Sequence, residues 1–155
     1  MSLLSPLFPR GPIDVSAWLH PLPDDGSVPG MPDWRWIATP GHSPGHVSLW
    51  RETDRTLIAG DAFITTTQES AYAVATQSAE LHGPPMYFTP DWPSARRSVE
   101  TLAGLEPEIV VTGHGRAMRG DAMRSALHTL AWDFDRIAVP DHGRYVDNPA
   151  VGSRH

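Results

Sequence analysis

Apolar and polar residues alternate most plainly over residues 46–51, where Val47 and Leu49 interleave with His46, Ser48 and Trp50. This is the two-residue period of a strand with two unlike faces. Residues 34–38 and 56–63 are the flanking β-prone runs, and Glu52-Thr53-Asp54-Arg55 between the second and third reads as a hairpin turn, which makes those two strands antiparallel. Residues 64–90 are mostly polar, with Thr65-Thr66-Thr67-Gln68-Glu69-Ser70 near one end and Gly83-Pro84-Pro85 near the other. They predict a long loop with one short helix over 71–81, and a loop of that length following Asp61 can wall a site. The period then changes. Trp92, Ala95, Val99 and Leu102 recur at steps of three and four behind a capping Asp91, and Gly104 with Pro107 ends this helix. Residues 108–112 form a short buried strand. Asp121 is then expected to cap a second helix whose buried face is Met123, Leu127, Leu130, Phe134 and Ile137, stopped by Pro140. Strands, helix, strand, helix in that order predict an α+β fold, a mixed sheet with helices on one face.

Seven of the sixteen prolines fall within residues 1–33, so that segment is expected to be an irregular, extended lead-in to a core over 34–140 and a tail over 141–155. At 155 residues with 40% apolar content the chain is the size of a single domain with a real core, in which most of the six tryptophans act as core or interface anchors. Twelve basic against 18 acidic residues give a net charge of -6, which disfavours nucleic acid and anionic membrane surfaces as partners. The absence of cysteine excludes disulfides, thiolate-bound zinc and a thiol nucleophile. The first ten residues, broken by Pro6 and Pro9, lack the pattern of a signal peptide, and no run approaches the roughly 20 apolar residues of a membrane span. The expected location is the cytoplasm.

Chemistry concentrates in three segments: Pro40-Gly41-His42-Ser43-Pro44-Gly45-His46, Gly60-Asp61 and Gly113-His114-Gly115. Each follows or separates β-prone runs, so His42, Asp61 and His114 are placed at strand ends where side chains converge. Taken singly, each histidine fits an ordinary turn. Jointly, they have the imidazole and carboxylate chemistry that zinc takes when cysteine is missing. His128 is expected on the solvent side of its helix, and His20, His82, His142 and His155 in exposed loops or at the terminus. There is no G-x-S-x-G nucleophile elbow and no phosphate-binding glycine loop followed by lysine.

In their order, these segments resemble the P-G-H-[ST]-x-G-H, G-D and G-H-G motifs of the second half of the metallo-β-lactamase superfamily, over about residues 34 to 120. The resemblance implies half of a four-layer αββα sandwich. It also implies metal roles for His42, for Asp61 as the carboxylate bridging two ions, and for His114 at the second ion, with His46 orienting the loop. The family's H-x-H-x-D-H cluster, which supplies the other ligands, does not occur in this sequence. The expectation is therefore a truncated domain: the C-terminal portion of a dinuclear zinc hydrolase for an ester, thioester, lactone or related carbonyl substrate, inactive as an isolated monomer. Its partners would be a small-molecule substrate once the site is completed, and a missing N-terminal half or a second copy. A non-catalytic metal-binding or docking module of the same fold is the alternative. The family's lactonase-like members have a tyrosine three residues after the bridging aspartate. Ile64 stands there in this sequence, with Thr65 and the Tyr72 region as candidates to replace it.

Overall fold

The hairpin expected at residues 52–55 joins β3 (Val47–Arg51) to β4 (Thr56–Gly60), with Leu49 opposite Ile58 and Trp50 opposite Leu57. A computed structural model of the chain describes residues 14–66, 80–142 and 145–146. Around the hairpin, β1 (Ser27–Val28), β2 (Met31–Ala38), β5 (Ile109–Thr112) and β6 (Met118–Arg119) complete a six-stranded sheet in the order β1-β2-β3-β4-β5-β6. Neighbouring strands are antiparallel except β4 and β5, which run parallel with Gly60 opposite Thr112. A parallel pair requires a crossover. The crossover here contains α1 (Trp92–Ala103), and α2 (Gly120–Trp132) and the short α3 (Phe134–Ile137) follow β6.

The alternation along the strands sorts residues onto two faces. Trp50, Leu57 and Val110 form a row across β3, β4 and β5 and join one core cluster with Trp92, Val99 and Leu102 of α1 and Met123, Leu127 and Leu130 of α2. All of these except Trp50 and Trp92 are at most 1% exposed. Burying each such side chain stabilises the fold by about 1.5–3 kcal/mol relative to leaving it in water. On the opposite face, the row Trp36, Leu49, Ile58 and Val111 is only half-buried, and Val111 is exposed. The mixed sheet with helices packed on one face is the α+β arrangement expected from the pattern.

Several local expectations are corrected. The segment before residue 34 is not wholly irregular. Ser16–Trp18 make a 3-10 turn, and β1 and β2 form a hairpin in which Val28 faces Met31, so β2 starts three residues earlier than the β-prone run. The strand expected to reach Phe63 ends at Gly60, whose φ of +57° turns the chain. Asp91 does cap α1, accepting from the backbone N–H of Ser94 at 3.0 Å and the Ser94 hydroxyl at 2.7 Å. Asp121, by contrast, is not a cap. Because β6 runs straight into α2, the extended Arg119 occupies the N-cap position, the Gly120 N–H goes to the Glu108 carbonyl, and Asp121 lies in the first turn paired with Arg124. The second helix breaks at Asp133 between α2 and α3, although Phe134 is buried as its spacing demanded. Trp50 and Trp92 are core, Trp34 and Trp36 half-buried, and Trp18 and Trp132 exposed at 73% and 89%. The helix expected over 71–81 falls almost entirely outside the described residues. Among the described residues no helix is long and apolar enough to cross a membrane.

Candidate metal centre

Two sheet elements and one turn bring the three expected residues together. Asp61 follows β4 directly and His114 lies two residues beyond β5, so the parallel pairing of β4 and β5 sets their backbones side by side. His42 sits in the turn between β2 and β3. That turn is anchored to α1 from two sides, by the Ser98 hydroxyl donating to the Pro40 carbonyl at 2.7 Å and the Asp91 N–H donating to the Gly41 carbonyl at 3.3 Å.

The carboxylate of Asp61 divides between the two histidines. Its Oδ2 lies 3.5 Å from His42 Nε2, and its Oδ1 lies 3.7 Å from His114 Nε2. Both separations are too long for good hydrogen bonds. They are close to the roughly 3.3–3.6 Å between two ligand atoms that each stand about 2.0–2.2 Å from a shared tetrahedral ion. Oδ1 is buried with no hydrogen-bond partner among the described residues, an arrangement that ordinarily calls for a cation or water. The imidazole and carboxylate donors, their spacing and this orphaned oxygen all fit metal. Among the described residues, no three or more His, Asp or Glu side chains close on one point. The geometry is that of two pairs sharing one carboxylate.

Supporting groups hold each member. The Thr89 hydroxyl donates to the Pro85 carbonyl at 2.8 Å and stands 3.5 Å from His42 Nδ1, the ring nitrogen other than the one that faces Asp61. The carbonyl of His114 accepts from the Thr112 hydroxyl at 2.8 Å and from the Thr65 N–H at 3.0 Å. The fully buried Thr65 hydroxyl donates to the Arg116 carbonyl at 2.7 Å and stands 2.9 Å from the Thr112 hydroxyl. Thr65 is thus committed to the His114 loop and is not free to stand in for a substrate-contacting tyrosine; Tyr72 lies outside the described residues. His46 packs edge-on to His42 with ring centroids 6.1 Å apart. Burial and the nearby His42 push its pKa below that of an ordinary imidazole, while Asp61 pulls it the other way.

The remaining histidines are dispersed. His20, His128 and His142 are exposed, and His128 pairs with Glu106 at 2.6 Å. His82 is half-buried, its backbone bridging Ile64 and its ring 3.2 Å from Glu80, so it is more ordered than a free loop residue. His155 lies outside the described residues. Thr39, Thr89 and Thr112 carry no motif signal. Only their proximity to the ligand segments hinted at a role.

Residues 4–114, more than half of the chain, match the Metallo-beta-lactamase superfamily. The chain therefore belongs to that superfamily. Among its relatives, the probable metallo-hydrolase YflN of Bacillus subtilis (strain 168) is 58% identical over 128 residues, 83% of this chain and 48% of YflN. The probable metallo-hydrolase YybB of the same organism is 33% identical over 81 residues, 52% of this chain and 32% of YybB. The chain thus spans about half or less of the length of these curated relatives. Solved structures similar to it include a metallo-beta-lactamase family protein from Thermus thermophilus, at 24% identity over 66% of this chain and 30% of that one, with a TM-score of 0.43. Another is TTHA1623 in a di-iron-bound form, at 24% identity over 79% of this chain and 48% of that one, with a TM-score of 0.44.

Proposed function

We propose that this chain supplies one flank of a dinuclear metal site in a hydrolase for an ester, thioester, lactone or related carbonyl substrate. The observation that carries the reading is the division of the Asp61 carboxylate, one oxygen toward His42 and the other, buried and otherwise unpartnered among the described residues, toward His114. His42 and Asp61 would hold one ion, and Asp61 and His114 the second. Zinc suits this ligand set. Iron is the competing choice, since imidazole and carboxylate serve both. Bound there, divalent cations supply Lewis-acid polarisation of a carbonyl and lower the pKa of water toward neutrality.

The protein's own contribution is orientation. Ser98 and Asp91 hold the turn that carries His42, Thr112 and Thr65 fix the backbone of His114, and Asp61 places its carboxylate between the two cation positions. Each position receives two protein ligands from these residues, against the three usual in a catalytic zinc site. The reading therefore includes weak metal retention and no turnover by this chain alone. It also assigns the half-buried row Trp36, Leu49, Ile58 and Val111 to contact with a covering layer, a segment bearing the H-x-H-x-D-H ligands or a second copy of the chain.

Metal per chain tests this, measured by equilibrium dialysis against zinc or iron(II), with assembly mass recorded alongside. Wild-type protein should bind metal that His42→Ala, Asp61→Asn and His114→Ala each reduce. Binding unchanged by all three substitutions would overturn the assignment.

A further inference from the structure

The second histidine of the Pro40–His46 turn has both ring nitrogens engaged, and neither points to the cation positions. The backbone N–H of Asp61 donates to His46 Nε2 at 3.0 Å. A backbone amide can only donate, so Nε2 must be the bare nitrogen and the ring proton must sit on Nδ1. His46 Nδ1 lies 2.8 Å from the Thr39 hydroxyl and therefore donates to it. The Thr39 hydroxyl in turn lies 2.9 Å from that of Ser48, which donates to the Ala59 carbonyl at 3.1 Å. Every group then has one role: Asp61 amide to His46, His46 to Thr39, Thr39 to Ser48, Ser48 to Ala59. Thr39 is 1% exposed and Ser48 fully buried, so water does not compete for these bonds. The relay ties the ends of β2 and β3 to both sides of the turn that carries Asp61. Gly60 completes the fit, because a methyl group there would stand 2.7 Å from His46 Nε2.

We propose that His46 is a positioning residue: with its proton on Nδ1, it grips the Asp61 backbone through Nε2 and thereby sets the carboxylate between His42 and His114, while taking no metal itself. The inference deepens the dinuclear reading and rests on it for the role of Asp61. The tautomer and the Asp61 hydrogen bond can be tested without metal.

The test is long-range proton–nitrogen NMR on the metal-free, nitrogen-15-labelled chain at about pH 7.5, well above the usual imidazole pKa, combined with zinc titration. His46 should show a protonated Nδ1 and a bare Nε2, and the Asp61 amide should exchange slowly. In Thr39→Val, which removes the acceptor for Nδ1–H, that tautomer should lose population and the Asp61 amide should exchange faster. Zinc should shift the rings of His42 and His114 and leave the His46 nitrogens free of direct coordination. His46→Phe, which keeps a ring but removes both nitrogens, should weaken zinc binding about 10- to 100-fold, the usual effect of losing a residue that orients a ligand. His46→Gln, whose side-chain oxygen reaches the Nε2 position, should recover most of it. A proton on Nε2, zinc bound to His46, or equal affinity in His46→Phe and wild type would overturn the proposal. A correct tautomer and protected Asp61 amide in a chain that binds no zinc would instead defeat the dinuclear reading, leaving His46 as a structural clamp.

Discussion

Gly113 presents its bare α-carbon to the Asp61 carboxylate so closely that a methyl group there would collide with Oδ1. The glycine is thus part of the mould around the shared carboxylate, not a generic turn residue. Gly113→Ala should leave the helices and sheet intact by circular dichroism but displace Asp61, lowering zinc affinity about 10- to 100-fold. Unchanged affinity in a calorimetric titration would show that the carboxylate has slack the geometry denies.

The same oxygen should carry a stability penalty when no metal is present. Burying a polar atom without a partner costs about 1–3 kcal/mol, and Oδ1 is such an atom among the described residues. Asp61→Ala should therefore make the metal-free protein more stable, by about 1 kcal/mol once the lost side-chain packing is allowed for. Urea denaturation in the presence of a chelator measures this. A large loss of stability in the variant would mean that the carboxylate has a partner in solution.

Asp91 connects helix stability to the position of His42. Its side chain caps α1 while its backbone N–H holds the Gly41 carbonyl. Asp91→Ala should destabilise the protein by about 1 kcal/mol. Through the adjoining turn it should also broaden the NMR signals of His42 more than those of His114. Equal effects on the two histidines would argue against local coupling.

At the far end of the sheet, Arg51 donates to Asp54 from Nε at 2.9 Å and from Nη2 at 2.7 Å, holding the pKa of that carboxyl at about 2. The pair closes the β3–β4 turn beside the Trp34 ring, whose centroid lies 4.6 Å from the Arg51 guanidinium carbon. Because the folded-state pKa lies below the ordinary value of 3.8, the stabilisation is fully present above 3.8 and disappears as pH falls through about 2. NMR titration should place Asp54 near 2 in the wild type and nearer 3.8 in Arg51→Ala, with the stability difference between them closing over that interval. A wild-type carboxyl titrating near 3.8 would show the ion pair to be open in solution.

The legible parts of this molecule are those in which one residue type repeats with a period. The alternation around Val47 and Leu49 identifies a strand, although the face it buries is that of Ser48 and Trp50, whereas the three- and four-residue steps from Trp92 to Leu102 identify both a helix and its buried face. The two-residue strands β1 and β6 are too short to show any period. Missing β6 also misplaced the start of α2, since a strand entering the helix at Gly120 leaves Asp121 no capping role. For the site, the motif order selected His42, Asp61 and His114, which the fold brings together. What held them was harder to see. In the first links of the His46 relay, Thr39 stands seven residues from His46 and nine from Ser48. These hydroxyls acquire direction only after β2 and β3 pair.

The parallel register of Gly60 against Thr112 gives the site a particular kind of fragility. Asp61 and His114 stand one and two residues past that pair, so their meeting is a matter of counting along the backbone as much as of side-chain chemistry. One residue inserted between Ile109 and Thr112 would turn the strand's faces over and carry His114 away from Asp61 with every candidate ligand still present. The Glu52–Arg55 turn, at the opposite end of β4, can lengthen without altering that count. Substitution scanning of the three candidate ligands would miss this dependence; single-residue insertions along β5 and in the hairpin turn would expose it.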